Sequence, residues 1–316
     1  MNTLPVDSIP EPVLFLLKKL ERAHHRAFVV GGAVRDTCLG RPVIDWDLAT
    51  SASVRSIQSI FRDTPRYTLG HATVAVIVGG RPYEITPFRG WTNTLKEDLA
   101  HRDLTINAMA LDPETRQIID LHNGRRDLRD KVIRAVENPD NRFREDPLRL
   151  LRSVRFAAQL DFKIHKDTSS AISENASLLS NAAPERIREE LMKILMVQKP
   201  SGYFNTLATT GLLKTFIPEL LEGRLKRQNR YHRYTIFKHI LKTVDYVKPD
   251  PLLRVTALFH DIAKPRIRAK IEGTWRFHGH EKESALLAEE IMKRLKFSNE
   301  MIRKATHLIK NHLIGY

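Results

Sequence analysis

The change of hydrophobic period near residue 140 constrains this chain most. Upstream of NPDN (138–141), short β-rich runs alternate with turn signals: VIDWDLATS, ATVAVIVGG and RPYEITPF. AFVVGGAVRD reads as a strand, a glycine turn and a helix, and further strands are expected at NAMALD and QIIDLH. Downstream, REDPLRLLRSVRFAAQL, TSSAISENASLL and PERIREELMKIL carry helical spacing, and the pattern stays helical almost to Tyr316. Val13, Leu14, Leu17 and Leu20 predict an amphipathic helix near the start. The expected fold class is α+β: a head with a small mixed sheet and helices (1–140), an all-helical neck (141–215) and a helical C-terminal module (216–316).

Composition narrows the class of protein. At 316 residues, with 42% hydrophobic and 28% charged residues, the chain can bury more than one core and is not a disordered polymer. No apolar run is long enough to span a bilayer, and MNTLPVDSIPEP lacks the order of a signal peptide. The single cysteine, Cys38, cannot form an internal disulfide and fits a reducing cytoplasm. The formal charge of +15 points to a polyanionic partner and no further.

Three groups of residues carry chemistry. In Asp45-Trp46-Asp47, a strand would put both carboxylates on one face, about 6.6 Å apart along it, with Trp46 anchoring the other face. Such a pair repels unless a cation offsets it, and Mg²⁺ suits carboxylate oxygens and phosphates. Glu84, on another expected strand, is the natural third carboxylate. Gly31 and Gly32 precede Arg35 at a strand-to-helix junction, where backbone N–H groups can approach phosphate and Arg35 can add a contact or pair with Asp36. Asp146 and Arg149, three apart on a helix, could accept from the exocyclic amine of C or A and donate to a ring acceptor; helix-end signals and an Arg149–Glu145 ion pair are the plainer reading.

FVVGGAVRDTCLGRPVIDWDLATSA (28–52) resembles the head motif of class II tRNA nucleotidyltransferases and bacterial poly(A) polymerases, in the polymerase β superfamily. The resemblance continues in order through HRDLTINAMA (101–110), IIDLHNGRRDL (118–128), FREDPLRLLRSVRFAAQL (143–160) and PERIREEL (184–191). It implies a polymerase β-like head, in which Asp45 and Asp47 hold catalytic Mg²⁺ with Glu84. It also implies that Gly31, Gly32, Arg35, Arg102, Asp103, Asn107, Asp146, Arg149, Arg152 and Arg155 bind nucleotide, with Arg102 and Asp103 sensing the ribose 2′-hydroxyl. Asp120 and Gly124 match the motif joining head to neck, and Glu185, Arg186 and Glu190 match one that braces the neck. His101 departs from the family's usual arginine.

LFHDIAKP, with His260-Asp261, and the later GHE resemble an HD-type metal phosphohydrolase, with a purely structural tRNA-docking module as the alternative. The implied metal ligands are His239, His260, Asp261 and His280, with Mn²⁺ or Ni²⁺ favoured by the imidazoles, and His312 follows in KNHL. Truncation at Tyr316 is an expectation, because a ligand supplied further on would be missing. The implied reaction is addition of C from CTP to the 3′ end of tRNA, with ATP as the alternative substrate and the acceptor stem as the RNA contact. Only GWTNTLKEDLAH separates Arg89 from Arg102. CCA-adding relatives usually carry a longer flexible segment there and CC-adding relatives do not, so CC-only addition is expected. Full CCA addition, A addition and poly(A) polymerase activity are the rivals within the class. An HD phosphohydrolase with a nucleotide-binding head and a non-catalytic RNA-binding protein are the rivals outside it.

Overall fold

A computed structural model of the chain describes residues 9–70, 72–228 and 233–314. Residues 1–8, which carry most of the segment read for a targeting signal, and Tyr316 lie outside the described residues. The chain forms two compact units, dividing between Arg142 and Phe143. Each mixes its elements as the period change predicts: a sheet with helices first, helices afterwards.

The first unit opens with α1 (Glu11–Arg22), β1 (Ala27–Val30), α2 (Gly32–Cys38), β2 (Asp47–Thr50) and α3 (Val54–Ile60). It continues with β3 (Arg66–Thr68), β4 (Val74–Val78), β5 (Arg81–Pro87), α4 (Leu95–Ala100), β6 (Met109–Leu111), β7 (Ile118–Asp120), α5 (Gly124–Arg129) and β8 (Val132–Ile133). Seven strands make one sheet in the order β3-β4-β5-β2-β1-β6-β7. All neighbours are antiparallel except β2 and β5, which run parallel at the centre with Leu48 opposite Ile85. That parallel pair matters for the site, because it sets Asp47 and Glu84 one step before the same paired row. Phe28, Val30, Ala49 and Ala110 from the sheet, with Phe88 just past β5, pack with Leu95 and Leu99 of α4, which fixes α4 beside the central strands. α1 buries Val13, Leu16, Leu17 and Leu20, the face its periodicity predicts with Leu16 added and Leu14 half-buried.

One local expectation changes and one strand is new. The strand expected across VIDWDLATS is shorter: β2 begins at Asp47, and Asp45 lies in the irregular segment before it. Trp46 is nonetheless buried and anchors the segment. The short exposed strand β3 has no apolar alternation and was not legible.

The rest of the chain contains α6 (Pro139–Glu145), α7 (Leu148–Leu160), β9 (Lys163–Ile164), α8 (Lys166–Asn175), α9 (Pro184–Leu195), α10 (Ser201–Thr209), α11 (Leu212–Phe216) and α12 (Pro218–Leu221). It ends with α13 (Ile236–Tyr246), α14 (Pro251–Phe259), α15 (Lys264–Ile267), the hairpin β10 (Ala269–Ile271) and β11 (Thr274–Arg276), α16 (His280–Arg294) and α17 (Asn299–Lys310). α7 packs on α9, and α17 packs on α16 and α14. Side-chain caps start several helices, with Thr235 accepting from Lys238 N–H and Ser298 from Met301 N–H. Among the described residues no helix is long and apolar enough to cross a membrane.

Candidate functional site

The head site is built where β1 ends. Gly31 has φ +71° and ψ −127°, a region that costs a side-chain-bearing residue strain. A Cβ there would lie 3.0 Å from Arg102 Nη1 and 3.9 Å from Asp47 Oδ2. The missing side chain therefore lets a guanidinium and a carboxylate close in on the backbone. Gly31 N–H donates to Met109 O (3.2 Å), so the sheet engages the donor that the sequence reading assigned to phosphate. Gly32 opens α2, whose first N–H groups have no partner within the helix.

Asp47 and Glu84 both have their carboxyls raised from the ordinary range. For Asp47, burial is the main cause; Arg102 pulls the other way, Asp45 adds repulsion, and Arg89 again offsets it. For Glu84, burial leads, followed by repulsion from Asp47 and then Asp45. Asp45 thus acts electrostatically on both Asp47 and Glu84, although it stands before the strand and not on it. An all-oxygen, mutually repelling set is the donor chemistry that a hard divalent cation such as Mg²⁺ satisfies.

Around them runs a chain of polar contacts. Arg102 lies along Asp98, donating through Nε (3.0 Å) and Nη2 (2.9 Å) to Asp98 Oδ2. The other oxygen of Asp98, which is fully buried, accepts from Arg89 N–H (3.2 Å). Arg35 grips Asp36 with two bonds (2.9 and 2.7 Å) and donates to Asn107 Oδ1 (2.7 Å). Asn107 Nδ2 then donates to Asp103 Oδ1 (3.1 Å). Arg35 therefore orients Asn107 and Asp103; of the two roles the sequence left open for it, the structure shows the pairing with Asp36. Asp120 accepts from the N–H groups of Gly124 (2.8 Å) and Arg125 (2.9 Å) and so caps α5. His101 meets the buried Arg142 (3.2 Å), a structural contact.

In the second unit the two base-reading candidates are not on one helix. Asp146 sits in the link before α7, where its Oδ1 accepts from Leu148 N–H (3.1 Å). Pro147 breaks the continuity that periodicity suggested, since it cannot supply an interior helical N–H. Arg186 on α9 clasps Asp146 with both Nη atoms, at 2.9 and 3.3 Å. Burial would raise the Asp146 carboxyl, but the Arg186 bonds and charge outweigh it and hold the group below its ordinary value. Arg149 donates to Glu145 Oε2 (2.8 Å), the ion pair foreseen as the plainer reading. Arg155 is buried, stacked 3.6 Å over Phe156 and bonded to Glu190 (2.7 Å) and Gln159 (2.8 Å). That arrangement makes it a brace between α7 and α9. Arg152 lies more loosely over the same ring, at 5.4 Å.

The C-terminal cluster converges on Asp261. His239 comes from α13, His260 and Asp261 from the turn that ends α14 (past the helix on which the sequence placed them), His280 from the start of α16, and His312 from the turn after α17. Asp261 Oδ2 lies 3.1 Å from His239 Nε2 and 3.2 Å from His260 Nε2, and accepts from Lys264 Nζ (2.6 Å). Its Oδ1 lies 3.3 Å from His280 Nε2 and 3.7 Å from His312 Nε2, yet is buried without a hydrogen bond. His260, His280 and His312 each donate Nδ1–H to a backbone carbonyl, of Ala257 (2.8 Å), Phe277 (2.8 Å) and Ile309 (2.6 Å). In the neutral tautomer this leaves Nε2 lone pairs facing one another, 3.3 Å apart in His280 and His312. Burial lowers the His312 imidazole, which favours that neutral form. An orphaned carboxylate oxygen amid inward Nε2 atoms anchored at Nδ1 is the pattern of a metal-ligand set. These residues fit a divalent ion of the Mn²⁺, Ni²⁺ or Zn²⁺ kind. His312, noted in the sequence but left out of the ligand set, belongs to this cluster.

Residues 27–134 match the family "Poly A polymerase head domain", 161–223 match "Probable RNA and SrmB- binding site of polymerase A", and 232–316 match "HD domain". Among curated proteins, the CCA-adding enzyme of Ligilactobacillus salivarius is 43% identical over 226 residues, 66% of this chain and 56% of its own length. That of Bacillus licheniformis is 41% identical over 226 residues, 67% of this chain and 56% of its own length. The chain thus spans little more than half of these relatives. The structure of the Bacillus stearothermophilus CCA-adding enzyme in complex with CTP matches 95% of this chain and 70% of its own, at 31% identity and a TM-score of 0.67. The chain belongs to the CCA-adding enzyme and poly(A) polymerase family. The Thermotoga maritima CCA-adding enzyme complexed with tRNA shares the fold, with a TM-score of 0.69 at 24% identity. Polymerase-head and HD domains generally bind divalent metals, and the described residues hold two groups with ligand atoms close enough to share an ion, His239 with His260 and Asp261, and Asp261 with His280 and His312.

Sequence reading missed Asp98 and Arg89 as supports of this family's head site. The signal was present for the first: Asp98 and Arg102 are spaced i, i+4 at a helical run, the spacing of a facing ion pair.

Proposed function

We propose that this chain is a tRNA nucleotidyltransferase that transfers cytidylate from CTP to the tRNA 3′-hydroxyl, with release of pyrophosphate. The observation that carries the reading is the placing of Asp47 and Glu84 one residue before the paired row of parallel β2 and β5, with Asp45 acting electrostatically on both and Arg102 held by Asp98. Asp45 and Asp47 are the residues that hold Mg²⁺, and Glu84 completes the carboxylate set. The ion, when bound, neutralises triphosphate charge and favours the ionised 3′-hydroxyl. Arg102 supplies positive charge beside Asp47, and Asp103 with Asn107, oriented by Arg35, presents polar atoms to the ribose hydroxyls. Most of the rate gain would come from positioning of the reactants.

Base choice is assigned to Asp146 and Arg149, within a neck of residues 141–215. Asp146 accepts from the amine of C or A, and Arg149 donates once it exchanges the partly exposed Glu145 for substrate. The module 216–316 is assigned a metal-dependent phosphohydrolase activity with Mn²⁺ or Ni²⁺ at His239, His260, Asp261, His280 and His312.

Addition is expected to stop after two cytidines, leaving A to another enzyme. The short 89–101 connection is tied at Arg89, Thr92 and Asn93, which supports a site with little freedom to reorient from C to A. The test is tRNA lacking its tail, supplied with CTP, ATP and Mg²⁺, with products sized to one nucleotide. Extension by two is expected; efficient extension by three would refute the CC-only reading, and no extension would refute the nucleotidyltransferase reading.

A further inference from the structure

Trp91 is 97% exposed, the most exposed large hydrophobic side chain among the described residues. A single exposed apolar side chain is ordinary on a protein surface. Here the loop is tied down on both sides of the indole. Arg89 N–H donates to the buried Asp98, and the Glu97 carboxylate accepts from both the N–H and the hydroxyl of Thr92. Asn93 Nδ2 donates to Ser51 O (3.0 Å). Gly90 takes φ +94°, and the Glu97 side chain fills the space that a Cβ would need, so the turn is built around that carboxylate. These bonds also pull the Glu97 carboxyl below its ordinary value, the Thr92 hydroxyl first among them.

The surroundings of the indole are polar and basic. Gly90, Thr92, Asn93 and Thr94 offer no apolar patch around it, which is what a membrane surface or a protein hot spot would need. Arg89 and Lys96 are exposed nearby in the chain, and Arg89 acts electrostatically on Asp47. Asp98 links the loop to the site directly, since its two oxygens hold Arg89 N–H and the Arg102 side chain. A rigid, lone aromatic face flanked by cations suits one flat ligand class.

We infer that Trp91 is a stacking platform for a nucleobase of the single-stranded RNA 3′ end presented to the head site. This rests on the nucleotidyltransferase reading for its substrate, RNA, and adds the residue that seats it. Base–aromatic stacking contributes about 1–3 kcal/mol, or roughly 5- to 150-fold in affinity. Because the loop is pinned beforehand, little of that is spent on ordering it.

The experiment uses the full chain and a short single-stranded RNA ending in CC. Trp91→Ala should weaken binding by roughly 5- to 150-fold, and Trp91→Phe should restore most of the affinity because an aromatic face returns. RNA should quench the fluorescence of the wild type and not that of Trp91→Phe, since Trp46 is buried and Trp275 lies under Arg268. Glu97→Ala keeps the indole but removes its support, and should weaken binding by about threefold as ordering cost returns. With steady-state addition, Trp91→Ala should raise KM for the RNA far more than it lowers kcat. Wild-type affinity in Trp91→Ala, or quenching that persists in Trp91→Phe, overturns the inference. If wild type fails to extend tail-less tRNA while Trp91-dependent RNA binding remains, the polymerase reading fails and the stacking role stands.

Discussion

Replacing Asp98 with alanine should damage this head more than any surface change of the same size. Asp98 is fully buried and its carboxylate receives three donors: Arg89 N–H on one oxygen, and Nε and Nη2 of Arg102 on the other. Arg102 is itself only 8% exposed. Removing the carboxylate leaves a guanidinium largely out of water with its main counter-charge gone, a change that costs about 3–5 kcal/mol. With a urea m-value of about 2 kcal/mol/M, the unfolding midpoint should fall by roughly 1.5–2.5 M. Asp98→Asn keeps one acceptor oxygen for Arg89 N–H but turns its amide N–H groups on the Arg102 donors, so most of the alanine loss, about 3 kcal/mol, is expected. Both variants should also lower kcat/KM for nucleotide addition by roughly 10- to 100-fold at a temperature where they stay folded, since Arg102 loses its fixed pose beside Asp47. Urea unfolding followed by circular dichroism measures the first effect, and addition kinetics the second. An Asp98→Ala protein within 1 kcal/mol of wild type would show that Arg102 draws its stability from elsewhere and that the brace argument is wrong.

Gly31→Ala should destabilise the head by about 1–2 kcal/mol from its positive φ alone, and should cut addition because its Cβ would reach the Arg102 guanidinium. Normal activity in that variant would mean the close approach is not used. Arg186→Ala should change stability by less than about 1 kcal/mol, since the pair is partly exposed, yet should reduce discrimination between CTP and UTP by roughly fivefold as Asp146 loses its clasp. An unchanged kcat/KM ratio for the two nucleotides would remove Asp146 from base choice. His260→Ala combined with Asp261→Ala should abolish binding of Mn²⁺ or Ni²⁺ by calorimetry and any phosphodiesterase activity, while nucleotide addition persists. Metal binding that survives the double change would disprove the cluster as the site.

What the sequence revealed follows from how local each signal is. The strand-rich head and the helical remainder were legible because hydrophobic period is a property of neighbouring residues, as α1 and α7 show. Asp47 was legible through its two-residue spacing from Asp45, but the place where the strand begins was not, because Trp46 and Asp45 continue an extended chain without sheet pairing. Asp146 was misplaced onto a helix because Pro147 is acceptable in a first turn, and nothing local tells a first turn from a break between two helices. Contacts spanning long sequence separations left the weakest trace. The Arg186–Asp146 clasp, 40 residues apart, and the gathering of His312 onto Asp261 depend on how helices pack, which periodicity does not encode. Arg155, a nucleotide contact implied by the resemblance, is stacked on Phe156 and bonded to Glu190, and that packing too depends on how helices meet.

The proposed roles of Asp45 and Asp47 in nucleotide addition to tRNA predict a specific pattern of label incorporation. Purified wild-type protein, Asp45→Ala and Asp47→Ala would each be given tail-less tRNA, Mg²⁺ and a single labelled nucleotide at a time. Wild type should incorporate label from CTP and not from UTP or GTP. Both variants should lose incorporation by at least about 100-fold, equivalent to roughly 2.7 kcal/mol of barrier, while binding tRNA within a few-fold of wild type. Incorporation by Asp47→Ala within a few-fold of wild type would contradict the account.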